Sequence, residues 1–342
     1  MSLAAALRTG DLAELPGRRD EDWRWTDLRG LIRALPPASP AVAAVARHPA
    51  LAAFDAPTQI YANGLSIGSS WAHGNVSLLR RFVSATDRTA HHAEASIDVA
   101  AGGRLILVDS FEGQATGYVA DSSTPIRLGA GARVERIVFL DDAADAVSVA
   151  LTEVELPPAR CSARRCWPPA PGASGSRRAC AISAAGDRPA RRRLPPDRPA
   201  SVRPDHPGAA PGVDGVTAQL TKGMVADQAR GVFQGRIVVE KGADRTDARM
   251  GHHALMLSDR AEVDAKPELE IWADDVACAH GATVGALDED ALFYARQRGI
   301  PEAEARAMLV EAFLAEVVER IEHEAARGLA HAWLAVRLEA AR

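Results

Sequence analysis

The chain has 342 residues, 47% of them apolar, with a net charge of −5 and only 3 Lys beside 37 Arg. That length carries one large core or two domains, and the Arg bias under a net negative charge points to a GC-rich bacterial coding sequence, not to a nucleic-acid binder. Four irregularly spaced Cys argue against a disulfide framework, no apolar run reaches the 18 residues of a membrane span, and no G-x-x-x-x-G-K-[ST] cradle occurs, so any ATP dependence belongs to a partner.

Residues 1–23 carry neither a basic n-region with a long apolar core nor a cleavage site, so a cytoplasmic chain is expected. Residues 1–95 are expected to form an N-terminal helical region: "RRDEDWRWTDL" with Trp23 and Trp25 leads into Ala-rich stretches such as "AVAAVARHPALAAF". From about Ile97 the period changes. "IDVAAGGRLILV" (97–108) is echoed 29 residues later by "IRLGAGARVERIV" (126–138), each alternating branched residues around a small-residue turn. "GRIVVEKGADRTDARM" and "LMLSDRAEVDAKPELEIWADDV" repeat that rhythm, which favours a β-solenoid over a sandwich across 96–286.

Residues 157–211 break the pattern. They hold 12 of the 21 Pro, 11 Arg and three Cys, with no Glu or Lys. Pro at this density removes ladder donors, and Ile182, Leu194 and Val202 are too few to line coils. The readings are a disordered Pro/Arg-rich insertion, a metal pair at Cys161 and Cys166, or an out-of-frame stretch. The last is preferred because the flanks look as if coils were replaced, and in a GC-rich gene a wrong frame reads as Arg, Pro, Ala and Gly.

Residues 287–342 are expected to be helical. Asp288 caps a helix with Glu289 and Asp290 in its first turn, Gly299 closes it, and Pro301 opens the next at the first helical position. Leu309, Phe313, Val317 and Ile321, with Met308 and Ala312 beside them, make an apolar stripe that faces either the chain's own core or a partner. A last helix after Gly328 carries Leu329, Trp333 and Val336.

Candidate chemistry lies in "VACAH". On a strand Cys278 and His280 share a face, where a thiolate and an imidazole can hold one metal, although a buried structural Cys beside a surface His is the plainer reading. His252 and His253 are consecutive and face opposite ways, so at most one could join them. No nucleophile, base and orienting group assemble from the residues.

"RRDEDWRWTDL", "LTKGMVADQARGVFQGRIVVEKGADRTDA" from Leu220, "LMLSDRAEVDAKPELEIWADDVACAHGATVG" from Leu255 and "LDEDALFYARQRGIPEAEARAMLVEAFL" from Leu287 together resemble the SufB/SufD family of iron–sulfur cluster assembly proteins. The words "AHGATVGALDEDALFY" set the chain on the branch that pairs with SufB. SufB itself is similar to "EHEATTSKISEDQLFY" there and carries a functional cysteine where this chain has Ala261. The resemblance implies a right-handed parallel β-helix core flanked by helical regions, and a non-catalytic scaffold that pairs with SufB through β-helix edges. It also implies docking of the SufC ATPase, through which alone ATP acts. A transient iron–sulfur cluster would then be built at the SufB interface beside His280 and Cys278. The segment matching the SufC-docking region includes Asp288, Asp290, Phe293, Tyr294, Gly299, Pro301, Met308 and Phe313. The competing readings are a metal-dependent enzyme using Cys278, His280 and one of His252 or His253, and a nucleic-acid binder using the Arg-rich middle.

Overall fold

The computed structural model describes residues 2–24, 27–67, 77–143, 145–155, 215–225 and 230–340, and the backbone alone of 176–184. Two short helices open it, α1 (Leu3–Thr9) and α2 (Leu28–Leu31), capped by Ser2 and Asp27. Strands then run almost to the end: β1 (Thr58–Ala62), β2 (Leu65–Ile67), β3 (Ser77–Ser84), β4 (Ala90–Glu94), β5 (Ile97–Val99), β6 (Arg104–Gly113), β7 (Val119–Leu128), β8 (Arg133–Asp141), β9 (Val147–Glu155), β10 (Ser176–Ala184), β11 (Val216–Val225), β12 (Arg230–Val239), β13 (Thr246–Met256), β14 (Glu262–Ile271) and β15 (Val276–Gly285). Helices α3 (Glu289–Gln297), α4 (Glu302–Glu319) and α5 (Glu324–Ala340) close the chain.

The strands coil into a parallel β-solenoid with two faces. One face is a nine-stranded sheet in the order β15-β13-β11-β10-β8-β6-β3-β1-β2, parallel throughout except for the β1–β2 hairpin. The opposite face holds β4 and β5 on β7, β7 on β9, and a separate β12–β14 pair. The 29-residue echo is the coil length itself: Ile97 pairs with Ile126, and Arg104 with Arg133. Its small-residue turns use Gly102 and Gly131, at φ 70° and 69°, a left-handed conformation that L side chains rarely adopt.

Coil length changes where the composition changes. From β8 to β10 the register advances 43 residues and from β10 to β11 another 40, against 31 from β11 to β13 and 30 from β13 to β15. Among the described residues, the anomalous stretch thus contributes one strand, β10, to the nine-stranded sheet. Cys161, Cys166 and the remainder of 157–211 lie outside the described residues.

The helices within residues 1–95 are short, and solenoid strands begin already at Thr58. The Ala-rich stretch from Ala41 to Phe54 is irregular apart from one 3₁₀ turn at Leu51–Ala53. Pro40 and Pro49 interrupt helical hydrogen bonding, and tertiary partners take the backbone groups instead. Ala46 N–H donates to Gln114 Oε1 at 3.2 Å, and its carbonyl accepts from Arg81 Nη2 at 2.8 Å.

Inside the solenoid, alternate residues build layers. Leu78, Leu105, Leu107 and Val134 meet Ile97, Ile126 and Val154 across the lumen. Phe111, Phe82 and Tyr61 stack at centroid spacings of 4.7 and 5.0 Å. Between these layers lies a buried charge triad. Asp109 accepts from Arg80 Nε (2.6 Å) and Nη2 (2.7 Å) and from Arg136 Nε (2.7 Å). The far ends of the two guanidiniums donate to the Ala95 carbonyl at 2.7 Å and to Thr152 Oγ1 at 2.8 Å.

The terminal helices share one core with the outer face of the nine-stranded sheet, where Leu79, Val108, Ile137, Phe139, Leu220 and Met224 pack against Val310, Leu314, Trp333 and Leu334. The buried side of α4 is Ala305, Val310, Leu314, Val317 and Val318, continued by Ile321. The expected stripe is therefore rotated: Leu309 and Phe313 sit at its margin and Met308 is outside it. The last helix begins at Glu324, runs through Gly328, and leaves Val336 exposed. Two contacts bind these helices down. Glu135 accepts from the Glu322 N–H at 2.7 Å and the His323 N–H at 3.3 Å, and Lys222 pairs with Glu316 while its Nζ sits 4.1 Å from the Phe313 ring centroid.

Candidate functional site

β15 ends the nine-stranded sheet, and among the described residues nothing pairs with its outer edge. Its residues Val276, Ala277 and Cys278 lie beside Thr246, Asp247 and Ala248 of β13, and His280 lies beside Met250. Strand parity puts Val276, Cys278 and His280 on the luminal side. Cys278 packs there against the cluster of Phe233, Ile237, Val239, Ala248 and Met250, while His280 is exposed. Ile271, Trp272 and Val284 are exposed on the same final coil, Trp272 to 67%. An unpaired strand edge rimmed by apolar side chains is a surface that needs covering.

Burial pushes the Cys278 thiol above its ordinary pKa and the Asp247 carboxylate adds to this, against a hydrogen bond with the Ala248 backbone. The thiol is therefore protonated at neutral pH, unlike an activated nucleophile. It suits a ligand that gives up its proton on meeting a soft metal. Among the described residues no three His, Cys, Asp or Glu side chains gather closely enough to hold an ion. Cys278 and His280 together make at most part of a ligand set.

His252 and His253 do splay. His252 is luminal and buried, stacked at 4.2 Å and 8° on Phe233, and its Nδ1 has no partner. His253 is on the outer face, its Nδ1 hydrogen-bonded to Thr283 Oγ1 at 2.7 Å. Burial, with a contribution from His253, lowers the His252 pKa to about 4, so the folded chain keeps a neutral imidazole that the unfolded chain protonates below about 6.5. The resulting stabilisation is complete above the unfolded value and is lost as pH falls from about 6.5 to about 4, at most about 3 kcal/mol. His252→Asn should flatten urea-unfolding stability over that window. An unchanged pH slope would show that His252 titrates normally.

The residues expected at the docking region divide into two kinds. Asp288 caps α3, its Oδ1 accepting from the Asp290 N–H at 2.9 Å and the Ala291 N–H at 3.2 Å, and Gly299 closes the turn at φ 83°. Pro301 is the N-cap of α4 and not its first helical residue, one position earlier than expected. Phe293, Tyr294 and Met308 are exposed to 62%, 60% and 50%. Phe313 instead faces the sheet, under Lys222. Ala261 is buried in a turn with its N–H donating to the Ser258 carbonyl at 3.1 Å.

Residues 211–313, which include this edge strand and the start of the helices, match the SufBD core domain of SUF system FeS cluster assembly. Over this segment the chain resembles the SufB/SufD family. The iron–sulfur cluster assembly protein SufD of Escherichia coli (strain K12) is 48% identical over 106 residues, covering 31% of this chain and 25% of that protein. SufD of Bacillus subtilis (strain 168) is 40% identical over 102 residues, covering 30% and 23%. A SufBD family protein of Synechocystis is 42% identical over 107 residues, covering 31% and 24%. The match spans about a quarter of the length of these SufB/SufD relatives. Among the described residues no helix is long and apolar enough to cross a membrane.

Sequence reasoning missed Lys222, Glu316 and Glu135, which fasten the helices, and the Asp109 triad. Asp109 alone left a signal, as a lone acid inside "LILVDSF". Its partners lie 27 and 29 residues away.

Proposed function

We propose that this chain is a non-catalytic scaffold subunit of SUF iron–sulfur cluster assembly that pairs with SufB and carries one part of a shared site. The observation that supports it best is the unpaired β15 edge, which carries Cys278 and His280 two residues apart on its luminal side and is flanked by exposed Trp272. A second solenoid can continue the sheet across that edge by backbone hydrogen bonds, supplying the ligands this chain lacks. The nascent cluster is cargo held between the two, with imidazole and thiolate as the groups offered from this side. Phe293, Tyr294 and Met308 form the exposed side of α3 and α4 proposed to receive SufC, through which ATP acts; Asp288, Asp290, Gly299 and Pro301 shape that region.

The test is co-expression of the full chain with SufB and SufC, followed by size measurement and anaerobic iron and sulfide analysis. His280→Ala should leave the three-protein complex intact and lower cluster yield about tenfold or more, the scale on which losing a metal-site group acts. Cys278→Ala should be milder. An unchanged yield from the His280→Ala complex removes that residue from the site.

A further inference from the structure

Strands β11 and β13 lie between helix α4 and the edge strand β15, and a row of in-register side chains spans them. Lys222 of β11 is in register with His253 of β13, and His253 is in register with Thr283 of β15. All three project outward, where parity sets them opposite the lumen. Glu316 of α4 pairs with Lys222 at one end of this row and accepts from Arg320 Nη2 at 2.7 Å. At the other end His253 Nδ1 is hydrogen-bonded to Thr283 Oγ1 at 2.7 Å. Thr283 stands three residues beyond His280 on the same strand.

We propose that the row Glu316–Lys222–His253–Thr283 is a positioning device that couples the terminal helices to the edge strand, so that displacement of α4 is felt at the strand carrying Cys278 and His280. The inference rests on the scaffold reading given above. Two features make the row suited to this. Lys222 is almost wholly buried, its side chain 6% accessible, and is held by both the Phe313 ring and Glu316, so its ammonium cannot move without α4. Among the described residues β15 is hydrogen-bonded on one side only, so a side-chain tether from β13 adds to the single backbone ladder that restrains it. His253 and Lys222 act through Thr283, and none of the three is a ligand.

The experiment is amide hydrogen exchange on the full chain alone. Glu316→Gln and Lys222→Met alter residues that His253, the register neighbour of Lys222, separates from β15. Each should speed exchange across 276–285 by about three- to tenfold, the size expected for losing one modest hydrogen-bonded link, and leave 104–113 unchanged. His253→Ala should do the same, whereas His253→Asn, which keeps a side-chain partner for Thr283, should restore protection. Unchanged exchange over 276–285 in both Glu316→Gln and Lys222→Met overturns the coupling. So does equal acceleration at 104–113, which marks general destabilisation. Because no partner or cluster is present, a failed His280→Ala test in the assembled complex would sink the scaffold reading without touching this result.

Discussion

Asp109→Asn should lower the stability of the chain by about 3–5 kcal/mol in urea unfolding, the range for removing one member of a buried ion pair. The carboxylate is wholly buried between two guanidiniums, and its loss leaves Arg80 and Arg136 as uncompensated charges inside the lumen. Burial by itself would push the Asp109 carboxyl up, but the charges and hydrogen bonds of Arg80 and Arg136 outweigh it and hold the group below the usual carboxylate range. Its contribution is therefore complete above the unfolded value of about 3.9 and fades as pH falls through the lower native value. The expected acid transition of the wild-type chain below pH 4 should be blunted in Asp109→Asn. A combined Arg80→Met, Asp109→Leu, Arg136→Met replacement should recover most of the loss, since apolar residues of similar volume often replace buried ion groups at little cost. A loss below about 1 kcal/mol in the single variant would show that the triad contributes nothing that water could not.

Trp333→Ala should cost about 3–5 kcal/mol, as for other large aromatic truncations in a core. The indole is 1% accessible and its ring lies 5.2 Å from Phe139 on the outer face of the nine-stranded sheet, so the cavity opens at the join between helix and solenoid. The damage should be local first: limited proteolysis is expected to cut within α4 and α5 before the strands, because these helices depend on that shared cluster. Trp333→Phe should keep much of the packing and lose less. Protease resistance of α5 equal to wild type in Trp333→Ala would mean that Glu135 and Lys222 suffice to hold the helices down.

What the amino-acid sequence determined by itself is whatever depends on local alternation or a local cap. The 29-residue echo became the register of β5 with β7 and of β6 with β8 because each coil repeats one pattern of inward and outward residues. Parity alone separated His252 from His253 and placed Cys278 with His280, and Asp288 announced its helix through hydrogen bonds that reach only two and three residues. The Ala-rich stretch from Ala41 to Phe54 was misread for the same reason: Ala-rich composition favours helix only when nothing else claims the backbone, and there Gln114 and Arg81, 68 and 35 residues from Ala46, claim it. Which side of α4 is buried could not be read from apolar spacing, since Leu309 and Phe313 differ from Val310 and Leu314 only in what lies opposite them. Only the tertiary structure decided that β15 is an edge, that Asp109 meets two arginines, and that Lys222 reaches Glu316 across 94 residues. A charge or a hydrogen-bonding group says that it needs a partner, and only the fold brings one to it.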